Sequence, residues 1–502
     1  MAALARGGRL NFIGFVMRLI ARLPFLFIAG RSYGPEALGR FAYATIVVEL
    51  VAQLASLGLK RGLARQLAKS DSEGGKAQAN LVADALLVSL LGSVVGMVIL
   101  GSFPKAMFPN SQIHGLEWLL PVTVLAISWT DIALAALAYR NDVGATVRAR
   151  GVVEPWTISI VAFGWAWISI RDGLIIAYVI SMVAAMIAAV VPLVKSFGLP
   201  RGWRPDLPDA WATAKRNMPL AAADAVEWAS RRIDIAVLGL FMSPVFVGIY
   251  YVAQQVATLP AKLKTSFEPV LGPAIARGVE AKDYGGIAGQ VRQVGFWILG
   301  AQAGIALALG IPGRAVMGLV GAKFTGGTAT LGFLLAAEVM AATAVVSEAA
   351  LIYLARHRNM IISLVMLAME AGLSVLFIVL MRGAHWPEPF VATGPAVALT
   401  VSLAFASVMK SRLLAKILGH RVSGWRWDLV WAAAAAVAVG VPARLLLSEW
   451  LQLFVGIPLI LAAFGAVLWT KGFGPEDREL FRMRKRDIEK LNEDPSAATP
   501  AR

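Results

Sequence analysis

Asp224, Glu227, Arg231, Arg232 and Asp234 stand inside an otherwise apolar run between Ala221 and Gly239. On a single helix, spacings of three and four place 224, 227, 231 and 234 on one face. Glu227 and Arg231 are set to pair at i,i+4. Arg18 and Arg22, also one turn apart, interrupt the first apolar run of the chain. A charge at bilayer depth costs at least ~2.5–3.5 kcal/mol on an insertion scale, so such faces must point at protein or water. Further carboxylates interrupt other apolar runs: Glu49, Asp131, Glu338, Glu348 and Glu370. The chemistry on offer is therefore ionic. With no cysteine, thiolate catalysis, disulfides and cysteine metal sites are excluded. His114, His357, His385 and His420 are too scattered for a histidine metal site. No metal, cofactor or catalytic residue is expected.

The elements that must carry these charges are membrane helices. The chain has 502 residues, 58% hydrophobic and 16% charged, with a mean hydropathy of +0.69; a soluble domain is usually ~45–50% apolar and ~25% charged. Apolar runs near the ~20 residues needed to cross a bilayer recur along the whole chain and predict about fourteen spans, an all-α polytopic membrane protein. The first six lie near residues 10–30, 41–59, 81–103, 116–138, 152–170 and 174–194. Six more lie near 218–242, 245–267, 291–311, 329–354, 360–381 and 390–409, and the last two near 429–446 and 451–470.

A net charge of +16 would point to nucleic acid in a soluble protein. Here Lys and Arg gather at the termini and in the loops after even-numbered spans, as in Lys60-Arg61, Arg140 to Arg150 and Lys410 to Arg426. They read as topology signals and contacts for anionic headgroups, which places both termini in the cytoplasm. No nucleic-acid partner is expected. The N-terminus superficially resembles a signal peptide, but Arg18 and Arg22 interrupt it and no cleavage site follows cleanly, so it reads as a retained first helix. No long soluble domain and no Walker-type phosphate loop interrupts the chain.

Two stretches look alike. Gly34-Pro35-Glu36-Ala37-Leu38-Gly39-Arg40-Phe41 follows the first span, and Ser243-Pro244-Val245-Phe246-Val247-Gly248-Ile249-Tyr250 follows the seventh. Each is a proline turn with glycine four residues on and an aromatic within two. An offset of six helices gives parallel repeats about an axis along the membrane normal, with a substrate site between two lobes. The lobes expected are 1–200 (spans one to six) and 201–425 (spans seven to twelve), followed by two helices in 426–471 and a cytoplasmic tail, 472–502.

The stretch Arg31-Ser32-Tyr33-Gly34-Pro35-Glu36-Ala37-Leu38-Gly39-Arg40-Phe41-Ala42-Tyr43 resembles the turn after the first helix of bacterial polysaccharide flippases. So does Leu57-Gly58-Leu59 with Ala64-Arg65. Arg232 to Gly239 and Gly248 to Ala253 are similar to the seventh and eighth helices of the same family, the Wzx-like oligosaccharide flippases of the multidrug/oligosaccharidyl-lipid/polysaccharide exporter superfamily. The resemblance implies a V-shaped inner-membrane transporter of two six-helix lobes. It would carry an undecaprenyl-diphosphate-linked glycan from the cytoplasmic to the periplasmic leaflet, for polysaccharide or lipopolysaccharide synthesis. Its partners would be that glycan and membrane lipids; whether a polysaccharide polymerase or chain-length machinery joins it is left open.

On that reading Arg18, Arg22, Arg231 and Arg232 are the diphosphate contacts, because a guanidinium fork binds two phosphate oxygens at once. The competing reading of each is a cavity-edge ion pair. Asp224 and Glu227 are the leading ion-coupling carboxylates, with Asp131 and Asp234 as further coupling or charge-pairing groups; Asp234 is the one that matches the family pattern. Trp228 could stack on a sugar. A lipid II flippase and a multidrug antiporter of the same superfamily are alternatives. A membrane glycan polymerase or ligase is a remote one, since the outward loops are short and no Asp-Asp-x-x-Asp cluster is present.

Overall fold

The computed structural model describes residues 23–73, 77–113, 115–229, 231–474 and 477. Arg18 and Arg22 lie outside them, and nothing is described of the Glu227 side chain. Among the described residues the regular structure is helical throughout. Among the described residues ten helical stretches are long and apolar enough to cross a membrane, from Leu23–Ser70 to Glu449–Gly472. They cover the second, third, fourth, sixth and ninth to fourteenth predicted spans and the end of the first. The fifth, seventh and eighth form as helices that are shorter, broken or more polar. Large apolar side chains such as Val98, Ile160 and Phe163 stay more than half exposed, as lipid-facing residues must. The protein is an all-α polytopic membrane protein.

The described residues up to Tyr251 form one compact unit and those from Val252 a second. In the first, the helix ending at Tyr33 is broken by Gly34 at φ +80°, a conformation that favours glycine. Helices α1 (Gly34–Ala55), α2 (Leu59–Glu73), α3 (Gln78–Ser102), α4 (Val122–Tyr139), α5 (Glu154–Trp165) and α6 (Gly173–Phe197) follow. Next come α7 (Leu207–Ala229) and α8 (Ile233–Phe241). Helix α9 (Pro244–Glu280) begins in the first unit. Packing relies on small residues that let helices approach closely, Ala85, Ala133, Ala136, Ala189 and Ala214 among them, around Leu59, Leu63, Leu67, Leu137 and Leu193.

The two look-alike turns meet one another inside this unit. A Cβ on Gly39 would lie 1.7 Å from the Pro244 carbonyl oxygen, and one on Gly248 would lie 2.0 Å from that of Pro35. The contact is reciprocal, glycine of each copy against proline carbonyl of the other. Beside it, Asn110 Nδ2 donates to the carbonyls of Gly239 (2.9 Å) and Met242 (3.0 Å), and buried Arg40 pairs with Glu117.

The second unit contains α10 (Tyr284–Gly310), α11 (Thr328–Leu354), α12 (Arg356–Gly383), α13 (Gly394–Leu418), α14 (Asp428–Leu446) and α15 (Ile457–Val467); all but α12, which packs against α13, gather around Phe296, Leu299, Leu351, Leu414 and Phe464. Lys410, buried on α13, reaches Glu348 on α11 at 2.9 Å.

Past the last span, Asp477 accepts from Trp297 Nε1 (2.8 Å) and Arg426 Nη1 (2.9 Å). Arg426 also donates to the Gly472 carbonyl (2.6 Å) and lies 3.8 Å above the Phe296 ring. Burial works to raise the Asp477 carboxyl, but the donors Arg426, Gly474 N–H and Trp297 outweigh it and hold the group below its usual range. A depressed carboxylate stabilises the fold fully above its unfolded value, about 3.9, and loses that contribution as pH falls through the folded value. Asp477→Asn should therefore lower the thermal midpoint by a constant amount from pH 7 down to about pH 5. The gap to wild type should close below about pH 4.

Candidate functional site

The seventh predicted span forms as two helices. Helix α7 stops at Ala229 and α8 starts at Ile233, with Arg231 and Arg232 in the turn between them and Arg232 at φ −142°, ψ 0°. This corrects the expectation of one helix with 224, 227, 231 and 234 on a single face. The turn swings both arginines onto the wall of a cavity large enough to hold water, where backbone groups freed by the break can be solvated.

The cavity measures about 390 Å³ and lies wholly within the first unit. Its charged wall comprises Glu49 on α1, Lys60 and Arg61 on α2, Asp131 on α4 and Glu154 at the start of α5. Arg150 in the preceding π-helical turn, Asp224 on α7, and Arg231 and Arg232 at the break complete it. That is five cations and four carboxylates. Most of them are matched across helices. Arg150 Nη2 lies 2.5 Å from Asp131 and its Nη1 2.8 Å from Glu154. Arg232 Nη2 lies 3.2 Å from Glu49 and 5.9 Å from the Trp228 ring. Arg61 Nε lies 2.8 Å from Asp224, with Lys60 Nζ 3.9 Å away on its other oxygen. The Tyr178 hydroxyl faces Glu49 at 3.4 Å, and Gln53 accepts from Lys60 at 2.9 Å.

Of the residues singled out in the sequence, the structure brings Arg231, Arg232, Asp224 and Asp131 to one wall. Asp234 is instead fully buried and accepts from the Tyr250 hydroxyl at 2.7 Å, tying α8 to α9 within the repeated motif. Lys60, Arg61, Arg150, Glu154 and Tyr178 were missed. Charged residues flanking apolar runs read as loops; instead the helical segment before α5 starts early enough to include Arg150, and Lys60-Arg61 lie on α2, a helix that follows the second span. The i,i+4 spacing of Arg150 and Glu154 was the available signal.

Arg150 bridges two carboxylates from different helices. Removing it leaves both facing each other in a weakly screened interior. Arg150→Ala is expected to cost about 2–3 kcal/mol of stability, less than the ~3–5 of a fully buried pair because the site is partly wet. A thermal melt in detergent reads the loss, and adding Asp131→Asn should recover part of it.

The chain matches the family described as polysaccharide biosynthesis protein over residues 28–286, just over half its length. No curated protein matches it. A structure of the lipid II flippase MurJ in an inward closed conformation superposes with TM-score 0.71 at 11% identity, covering 94% of this chain and 100% of that one. An inward-facing multidrug resistance MATE family transporter of the MOP superfamily gives 0.63 at 13% identity, covering 80% and 94%. A MOP superfamily transporter from Pyrococcus furiosus gives 0.55 at 13% identity, covering 83% and 95%. At such identities the likeness is one of fold. The chain belongs to the polysaccharide biosynthesis protein family, as the resemblance of its turns to Wzx-like flippases implied, and is built on the fold of MOP-superfamily transporters.

Proposed function

We propose that the protein is a flippase, moving an undecaprenyl-diphosphate-linked oligosaccharide from the cytoplasmic to the periplasmic leaflet of a bacterial inner membrane by alternating access. The product feeds cell-surface polysaccharide or lipopolysaccharide synthesis, and no bond is made or broken. The observation that carries this reading is the charge-lined cavity within apolar helices, in a chain of the polysaccharide biosynthesis family. A lipid-linked diphosphate needs such a passage: its head and sugars cannot cross hydrocarbon, while its tail can stay in lipid. Arg231 and Arg232, with Arg18 and Arg22, are the proposed diphosphate contacts.

The observed pairing suggests how cargo and ion are linked. Arg232 is held by Glu49, and Arg61 by Asp224. A diphosphate that takes such an arginine strands its carboxylate, which then favours a proton or sodium ion. Binding of cargo and of cation thus becomes mutually favourable, and by linkage the favour is reciprocal. Asp224, Asp131 and Glu227 are the coupling groups on this account, while Asp234 keeps its structural partner.

The test is reconstitution. Liposomes carrying a fluorescent lipid-linked oligosaccharide should pass from about half to near-complete quenching by an external reductant when the purified protein is present. Quenching that stays at half would overturn the reading. Lipid II offered in the same assay separates the peptidoglycan-precursor alternative.

A further inference from the structure

Helix α2 was not among the predicted spans, and its composition is polar. Leu59, Leu63 and Leu67, at i,i+4 spacing, are completely buried in the core of the first unit. The opposite face presents Arg61, Arg65 and Lys69, again four apart and all exposed. At 1.5 Å per residue this row is about 12 Å long. Its inner end is fixed by two close approaches. A Cβ on Gly58 would lie 2.7 Å from the Ala221 nitrogen, and one on Gly62 would lie 2.2 Å from Asn217 Oδ1, so α2 sits directly on α7. That contact seats Arg61 against Asp224 in the cavity wall. Its outer end, Lys69, points away from the unit's core. Because α2 joins two membrane helices and gives its apolar face to protein rather than lipid, the basic row lies at the level of the headgroups.

We propose that the row Lys69, Arg65, Arg61 is a loading track. It captures the phosphate-bearing headgroup of the lipid-linked cargo at the membrane surface and delivers it into the cavity. The proposal rests on the reading that the cargo carries a lipid-linked diphosphate. Charge complementarity and continuity with the cavity wall select this occupant: a row of cations running into a wet, low-dielectric cleft focuses the field and raises the capture rate of an anion.

The track predicts a kinetic defect. Full-length protein in phosphatidylcholine nanodiscs is mixed with farnesyl diphosphate, and association is followed by intrinsic tryptophan fluorescence. Arg65→Glu with Lys69→Glu should slow association about tenfold or more and flatten its salt dependence. Dissociation should stay within about twofold and the thermal midpoint should not move, since both residues are exposed. Arg65→Gln with Lys69→Gln should fall between. Arg358→Glu, an exposed reversal on α12, should change little. Unchanged association in the double reversal overturns the track, as does equal slowing by Arg358→Glu. Phosphatidylglycerol added to the nanodiscs that slows wild-type association as much as the double reversal does would mark a general anionic-lipid contact and overturn it too. If the wild type binds no farnesyl diphosphate, the diphosphate reading itself fails and the track falls with it.

Discussion

Gly39→Ala and Gly248→Ala are each expected to abolish transport and to destabilise the fold by more than the ~1–3 kcal/mol usual for overpacking. A single methyl suffices because the obstacle is backbone. The new carbon at 39 would meet the Pro244 carbonyl oxygen at 1.7 Å and the Gly248 nitrogen at 2.7 Å. At 248 it would meet the Pro35 oxygen at 2.0 Å and the Gly39 nitrogen at 2.9 Å. No rotamer change relieves either contact, so the start of α1 and the start of α9 must separate. Gly332→Ala on α11, where the added carbon meets nothing within 4 Å, is the control and should be neutral. Complementation and a detergent melt read both outcomes. Wild-type behaviour of Gly39→Ala would show that this crossing tolerates separation.

Arg232→Ala should cut transport between tenfold and a hundredfold while the protein still inserts. That range corresponds to loss of a charge-assisted hydrogen bond, ~1.5–3 kcal/mol. Arg232→Lys should keep only part of the activity, because an ammonium lacks the planar fork. The exchange Glu49→Arg with Arg232→Glu separates function from packing. It rebuilds a pair across the 3.2 Å contact, so stability should return while transport should not. Restored transport would make Arg232 a structural partner only.

The sequence already held the membrane class and the positions of most described helices, because a bilayer imposes length and polarity on every span. It also held the repeated Pro-x-x-x-Gly turns, but not that Pro35/Gly39 and Pro244/Gly248 would touch, since contact depends on packing that no local pattern encodes. The break at Arg231-Arg232 was hidden: no glycine or proline marks it, and only the cross-helix partner Glu49 explains where Arg232 goes. Arg150 and the basic face of α2 were hidden for the opposite reason. Charges beside apolar runs look like loop residues, and only tertiary structure shows that Arg150 and Arg61, the inner end of the α2 face, line a cavity.

The central claim is tested most directly by the leaflet in which the lipid-linked glycan accumulates when the gene is deleted. The account predicts glycan trapped on the cytoplasmic face, released to the periplasmic face by the wild-type copy and at least tenfold more slowly by Arg232→Ala. Glycan already on the periplasmic face of the deletion strain would contradict it and place the protein after translocation.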